Sequence, residues 1–176
     1  LKSAPGTSWY YSSGTTNIIN HLIRNTFSSD EELYRYVHER LFHKTGMADA
    51  IFETDATGNL IGSSYVFATL RDYGRFGLLY LNDGIFNGER LLPEGWIEYT
   101  RSPSPNSQGA YGAHFWLNRN RFYPDAPEDM FAANGHDGQR IFIIPSKELV
   151  VVILGYSPNQ SMDFNAVLKD ILARAD

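Results

Sequence analysis

Residues 134–153 read Asn134-Gly135-His136-Asp137-Gly138-Gln139-Arg140-Ile141-Phe142-Ile143-Ile144-Pro145-Ser146-Lys147-Glu148-Leu149-Val150-Val151-Val152-Ile153. Two β-branched runs, 140–144 and 149–155, flank Pro145-Ser146-Lys147-Glu148. That pattern predicts an antiparallel hairpin of buried strands. The polar stretch 134–139 feeds the first strand. Glycines at 135 and 138 let another backbone or a ligand come close, and a histidine stands between them.

Outward from the hairpin, Phe164, Val167, Leu168, Ile171 and Leu172 recur at helical spacing and predict a helix over 161–174. Tyr111–Leu117 reads as a third strand. Upstream the period is helical. Ile18, Ile19, Leu22 and Ile23 mark a helix over 15–25. Ser29-x-x-Glu32 is a capping box for a helix over 30–43. It carries Leu33, Val37 and Leu41 on one face, and Gly46 follows its end. Residues 47–63 read as a loop. Thr69-x-x-Asp72 starts a helix over 70–82 that stops at Asn82-Asp83-Gly84. Asn87-Gly88 is a tight-turn signal, and Pro93 opens a short helix near 93–100. Helices, then antiparallel strands, then a covering helix make an α+β arrangement. The expected division is 1–110 mainly helical and 111–176 strands plus the C-terminal helix. Three strands make a thin sheet for so large a core, and Leu1-Lys2-Ser3-Ala4 resembles neither an initiator nor a signal peptide. Both point to further sequence upstream.

Composition excludes several classes. The 176 residues suit one domain of ordinary size. A formal net charge of −5 is the wrong sign for a generic nucleic-acid binder. No apolar run reaches membrane-spanning length. With no cysteine there is neither a disulfide frame nor a thiolate metal site. Neither Gly-x-Gly-x-x-Gly, a phosphate-binding Gly-Lys-Ser/Thr loop nor a Gly-x-Ser-x-Gly elbow is present, so no cofactor is expected. His38 and His43 stand five apart. On a regular helix they lie about 140° from one another, too far round to share a metal, so no metal site is expected either.

Two segments remain that could carry chemistry: Pro5-Gly6-Thr7-Ser8-Trp9-Tyr10-Tyr11-Ser12-Ser13-Gly14, a turn entering a helix, and the 134–139 stretch. Pro-Gly-Thr-x-x-x-Tyr-Ser-x resembles the Tyr-x-Asn motif of class C β-lactamase-related, penicillin-binding-protein-like serine hydrolases. Arg71-Asp72-Tyr73-Gly74-Arg75-Phe76-Gly77, then Gly84, Gly88 and Leu91-Leu92-Pro93, resemble that family's intermediate segment. Gly135-His136-Asp137-Gly138-Gln139, followed by a strand and Pro145, resembles its Lys/His-x-Gly motif. The three occur in the family's order over nearly the whole chain. The His-x-Gly-Gln form is most similar to the esterase and 6-aminohexanoate-dimer-hydrolase branch.

The resemblance implies a β-lactamase/transpeptidase-like fold, of which this chain is the C-terminal portion: the end of the helical subdomain, the last strands and the covering helix. It implies acyl transfer through a serine in Ser-x-x-Lys. None of the serines here has lysine three residues later, so the nucleophile is expected upstream and this chain alone is expected to be inactive. Tyr11 would be the proton-relaying tyrosine, His136 the group where β-lactamases carry lysine, and the Gln139 N–H an oxyanion donor. Ser13, Asp137 and Gly138 would line the substrate. Ser13 stands where β-lactamases have asparagine. Asp137 stands where they have threonine or serine, and its charge would repel a β-lactam carboxylate unless Arg140 compensates. Both departures favour an ester or a linear amide. The implied partners are a small ester, amide or peptide-like substrate and the N-terminal part of the same domain, in a periplasmic or secreted setting. A non-catalytic binding or sensor module that kept the shape is the alternative, and the presence of Ser-x-x-Lys upstream separates the two.

Overall fold

The structure, a computed structural model, describes residues 3–158 and 161–175. Of the odd N-terminal tetrapeptide, Leu1 and Lys2 lie outside the described residues. The chain forms two compact units, one of residues 10–76 and one of residues 1–9 with 77–176.

In the first unit, α1 spans Ser13–Arg24 and is capped by the Ser12 hydroxyl, which accepts from the Thr15 N–H. Its apolar stripe stays open: Ile18 and Leu22 are 66% and 62% exposed, and no residue of the helix is buried. α2 spans Asp30–Val37. The Ser29 hydroxyl accepts from Glu32 N–H at 3.1 Å, and the Glu32 carboxylate reaches back to the Ser28 N–H at 2.8 Å. The capping box therefore forms, displaced by one residue on its return arm. The helix continues through a π turn, His38–Phe42, and a last turn, His43–Thr45, before Gly46 adopts the left-handed conformation at φ 71°. The segment expected as a loop contains a strand. β1 (Ile51–Phe52) pairs antiparallel with β2 (Val66–Phe67). Two-residue strands are too short to show a period, which is why the sequence hides them. Phe42, Met47 and Ala50 are buried with Val37, Leu41, Phe52, Ala68 and Phe76 around them.

α3 (Leu70–Leu81) starts in this unit and ends in the other. The Thr69 hydroxyl donates to the Asp72 carboxylate at 2.8 Å and accepts from its N–H at 3.2 Å. Burial pushes the Asp72 carboxyl up, but the bonds from Thr69 and then Arg75 together outweigh it and hold it below its ordinary range.

In the second unit, Asn87 and Gly88, at φ 49° and 80°, make the tight turn between β3 (Ile85–Phe86) and β4 (Glu89–Arg90). α4 spans Trp96–Arg101, starting three residues beyond Pro93 because Gly95 is left-handed. The main sheet has four strands in the order β5-β6-β7-β8: Trp116–Leu117, Phe131–Asn134, Arg140–Ile144 and Leu149–Ile153. All pairs are antiparallel, with Trp116 opposite Ala132, Asn134 opposite Arg140, and Ile144 opposite Leu149. Residues 111–117 are not one strand. The Gly112 N–H donates to Phe115 O at 2.9 Å, so the segment doubles back before β5.

α5 (Phe164–Ala175) buries Phe164, Leu168 and Leu172 against one sheet face, where they meet Ala132, Phe142 and Ile144. Each such side chain contributes about 1.5–3 kcal/mol of burial. On the other face Gly77 of α3 comes so close that a Cβ there would sit 2.5 Å from Val150 Cγ1. Side chains alternate strictly along a strand, so Asn134, Arg140 and Phe142 point to the α5 face.

Candidate functional site

β6 and β7 are joined by a turn of five residues, Gly135–Gln139. The Gly135 N–H donates to Gln139 O at 2.8 Å and the Gln139 N–H to His136 O at 3.3 Å. His136–Gly138 form a single 3₁₀ turn, bent at Asp137, whose φ is 50°. Gly138 has φ 95°, and a Cβ there would lie 2.7 Å from Ser157 Cβ. Glycine is required at 138 on both counts. The turn is also tied from outside. The Ser157 N–H donates to Asp137 O at 2.8 Å. The Gln139 amide accepts from the Gly155 N–H at 2.9 Å and donates to Gly155 O.

The imidazole of His136 sits at the tip, its side chain 89% exposed, with Nε2 3.2 Å from Asp137 Oδ2. Asp137 therefore leans on His136. Such an exposed pair is worth at most about 1 kcal/mol. Arg140, the residue that could have compensated Asp137, does not face it. Its guanidinium is turned inward, donating through Nη1 to Gln139 O at 2.8 Å and Gly135 O at 3.3 Å.

Four expected site residues, His136, Asp137, Gly138 and Gln139, thus occupy one turn. Tyr11 and Ser13 belong to the other unit. They flank Ser12, the N-cap of α1: Tyr11 is in the approach, 53% exposed, and Ser13 is the first helical residue, also exposed. The Pro5-Gly6 turn before them is present, with the Thr7 hydroxyl donating to Ala4 O at 2.7 Å. Within its own unit that segment is held by Asn106, which donates to Thr7 O at 2.7 Å, and by Trp9, which packs tilted on Tyr111 at 5.4 Å and edge-on to Trp116 at 6.4 Å.

Where the chain makes its π turn, the angle expected for His38 and His43 fails. The wider turn brings the two rings toward one side, with centroids 6.3 Å apart. His38 packs edge-on against Phe42 at 5.1 Å and beside Phe52 at 5.4 Å. Among the described residues no group of three or more His, Asp or Glu side chains is arranged to hold a metal ion. Among the described residues, likewise, no helix is long and apolar enough to cross a membrane.

Sequence reading missed the clamps on the turn: Arg140 from within, and Ser157 and Gly155 from across. The signal at Arg140 was a charged residue opening an otherwise apolar strand. Ser157 and Gly155 left no comparable signal.

The chain is similar in sequence and fold to known proteins. The 6-aminohexanoate-dimer hydrolase of Paenarthrobacter ureafaciens is 25% identical over 123 residues, which is 63% of this chain and 30% of that protein. A Bacillus anthracis protein assigned as a 6-aminohexanoate-dimer hydrolase superposes with a TM-score of 0.75 and 26% identity, covering 98% of this chain and 45% of its own. A β-lactamase of Mycobacterium bovis superposes with a TM-score of 0.72 at 17% identity over 98% of this chain and 66% of its own, which is a likeness of fold. The chain spans 30% of the curated relative and 45% of the Bacillus structure, and it has the antiparallel sheet and C-terminal helix of that fold. The match to the β-lactamase family runs over residues 1–173, and the chain belongs to that family of serine hydrolases.

Proposed function

We propose that this chain is the C-terminal portion of a single serine-hydrolase domain and supplies Tyr11, His136 and the Gln139 N–H to a reaction that cleaves esters or linear amides. The observation that carries this reading is the turn 135–139. A histidine is held out at the end of the sheet with its side chain exposed and Asp137 beside it. A hydrolase also needs a nucleophile, which this sequence does not hold as Ser-x-x-Lys.

The chemistry follows from the groups. The serine oxygen of that motif attacks the carbonyl carbon and its proton passes to a base. The tetrahedral oxyanion then collapses to an acyl-enzyme as the protonated alcohol or amine departs. Water repeats the sequence and frees the acid. Tyr11 relays the proton. A phenol does so most readily beside positive charge, which the motif lysine supplies. The Gln139 N–H has only a long bond to His136 O, 3.3 Å, which an oxyanion can displace. A 6-aminohexanoate dimer, the substrate in the relatives' names, is joined by an amide bond.

Asp137 sets the substrate's charge. In the family-length enzyme, a neutral ester should be preferred to its carboxylate analogue by kcat/KM. Asp137→Thr should narrow that ratio by roughly fivefold, about 1 kcal/mol, since Asp137 is partly solvated and shares its charge with His136. A wild type that prefers the anionic ester, or a ratio unmoved by the substitution, overturns the assignment of substrate.

A further inference from the structure

We propose that Arg140 is a positioning residue: it fixes the turn that presents His136. This rests on the reading of His136 as a catalytic group, and adds a residue that itself touches no substrate.

Arg140 is the first residue of β7 and only 8% exposed. Such burial is unusual for arginine and needs strong partners. Its Nη1 donates to two main-chain carbonyls, Gln139 O at 2.8 Å and Gly135 O at 3.3 Å. Those are the two ends of the turn, so one nitrogen draws them together. Gln139 O also accepts the Gly135 N–H at 2.8 Å, and Arg140 reinforces the closure that this bond makes. The guanidinium plane lies over the Phe164 ring, with Cζ 4.5 Å from its centroid, so α5 sets the depth of the clamp.

The group is not placed for its own satisfaction. Its Nε is buried without a hydrogen-bond partner, although Asn134 Oδ1, on the residue paired with Arg140 in the register, is likewise buried and unpartnered. An unfilled buried donor and an unfilled buried acceptor each cost stability. The guanidinium instead stays with the turn. Lysine replaces it only in part, because an ammonium lacks the guanidinium's planar fork of donors.

The test compares Arg140→Met and Arg140→Lys with wild type in two readouts. In this chain, amide hydrogen exchange is followed at Gly135 and Gln139, with Phe142 and Ile143 as strand references. Arg140→Met should speed exchange at Gly135 by tenfold or more and leave the strand amides within twofold, with Arg140→Lys intermediate. In the family-length enzyme, Arg140→Met should lower kcat by tenfold or more with KM within twofold. Unchanged exchange at Gly135 overturns the clamp. Exchange that rises equally through β6, β7 and β8 also overturns it, since Arg140 is then only part of the core. If Arg140→Met does not fold, Arg140→Lys decides by the same criteria. If exchange responds as expected but His136→Ala leaves kcat intact, the clamp stands as a property of the turn. The catalytic reading fails in that case, and Arg140's role as a positioning residue fails with it.

Discussion

Replacing Gly138 by alanine tests the turn that carries the candidate site. Two costs add at this position. The backbone sits at φ 95°, where an L side chain is strained by about 1–2 kcal/mol. The new methyl would also lie 2.7 Å from Ser157 Cβ. That atom is tied to the backbone and cannot rotate away, so segment 155–158 must shift, at about 1–3 kcal/mol for overpacking. The sum is about 3 kcal/mol, which lowers Tm by roughly 6–12 °C in a chain of this size. Gly155→Ala is the control, because a Cβ there meets nothing within 4 Å; it should change stability by less than about 0.5 kcal/mol. Thermal denaturation by circular dichroism reads both variants, and amide exchange at Gln139 catches a penalty relieved by local opening. If Gly138→Ala matches Gly155→Ala in both readouts, the turn does not have the described shape.

The same steric logic separates two glycines of α3. Gly74 has open space and Gly77 abuts Val150, so Gly74→Ala should stabilise by about 1 kcal/mol. Gly77→Ala should fall about 1–3 kcal/mol below it, read by urea denaturation; equal effects would mean that α3 does not press on the sheet. Asp55 accepts from the Thr57 hydroxyl, the Thr57 N–H and the Asn59 N–H, which hold its carboxyl at about 2 against an ordinary 3.8. The stabilisation of the 55–59 turn should therefore be complete above about pH 4 and lost as pH falls through about 2. Asp55→Asn should flatten that window in amide shifts of Thr57 and Asn59. Asn118 is buried, donating to Tyr123 O, Ala126 O and Pro127 O at 3.0–3.2 Å and accepting the Tyr123 N–H at 2.9 Å. Asn118→Leu strands those groups and should cost about 3 kcal/mol by chemical denaturation; a neutral substitution would show that water satisfies them.

The elements legible in the sequence are those whose physics is local. Ser29 with Glu32, Thr69 with Asp72, and Asn87-Gly88 each complete their hydrogen bonds or dihedrals within four residues, and the β7–β8 hairpin is written in two β-branched runs. β6 was hidden because Phe131-Ala132-Ala133-Asn134 holds two alanines and has no alternation. Its strand character comes from pairing on both sides, with β5 and β7. Residues 111–117 look extended by composition, but the bond from Gly112 to Phe115 folds them. The π turn at 38–42 depends on where Phe42 and Met47 must pack. At the candidate site the turn 135–139 could be located from its glycines. The inward Arg140 could not, because charge in a strand is ordinarily read as solvent-facing. Its true partners are two carbonyls that only the closed turn brings within reach.

Under the proposed function, Tyr11 and His136 serve one acyl transfer. A kinetic cycle on the family-length enzyme tests it most directly, using Tyr11→Phe, His136→Ala and the pair, with a p-nitrophenyl ester and a linear amide. Groups that act as a unit are strongly non-additive. Each single substitution should therefore lower kcat/KM by about a hundredfold or more, and the double should cost little beyond the larger single. Losses below about twofold in either single variant, or losses that multiply in the double, would contradict a shared role.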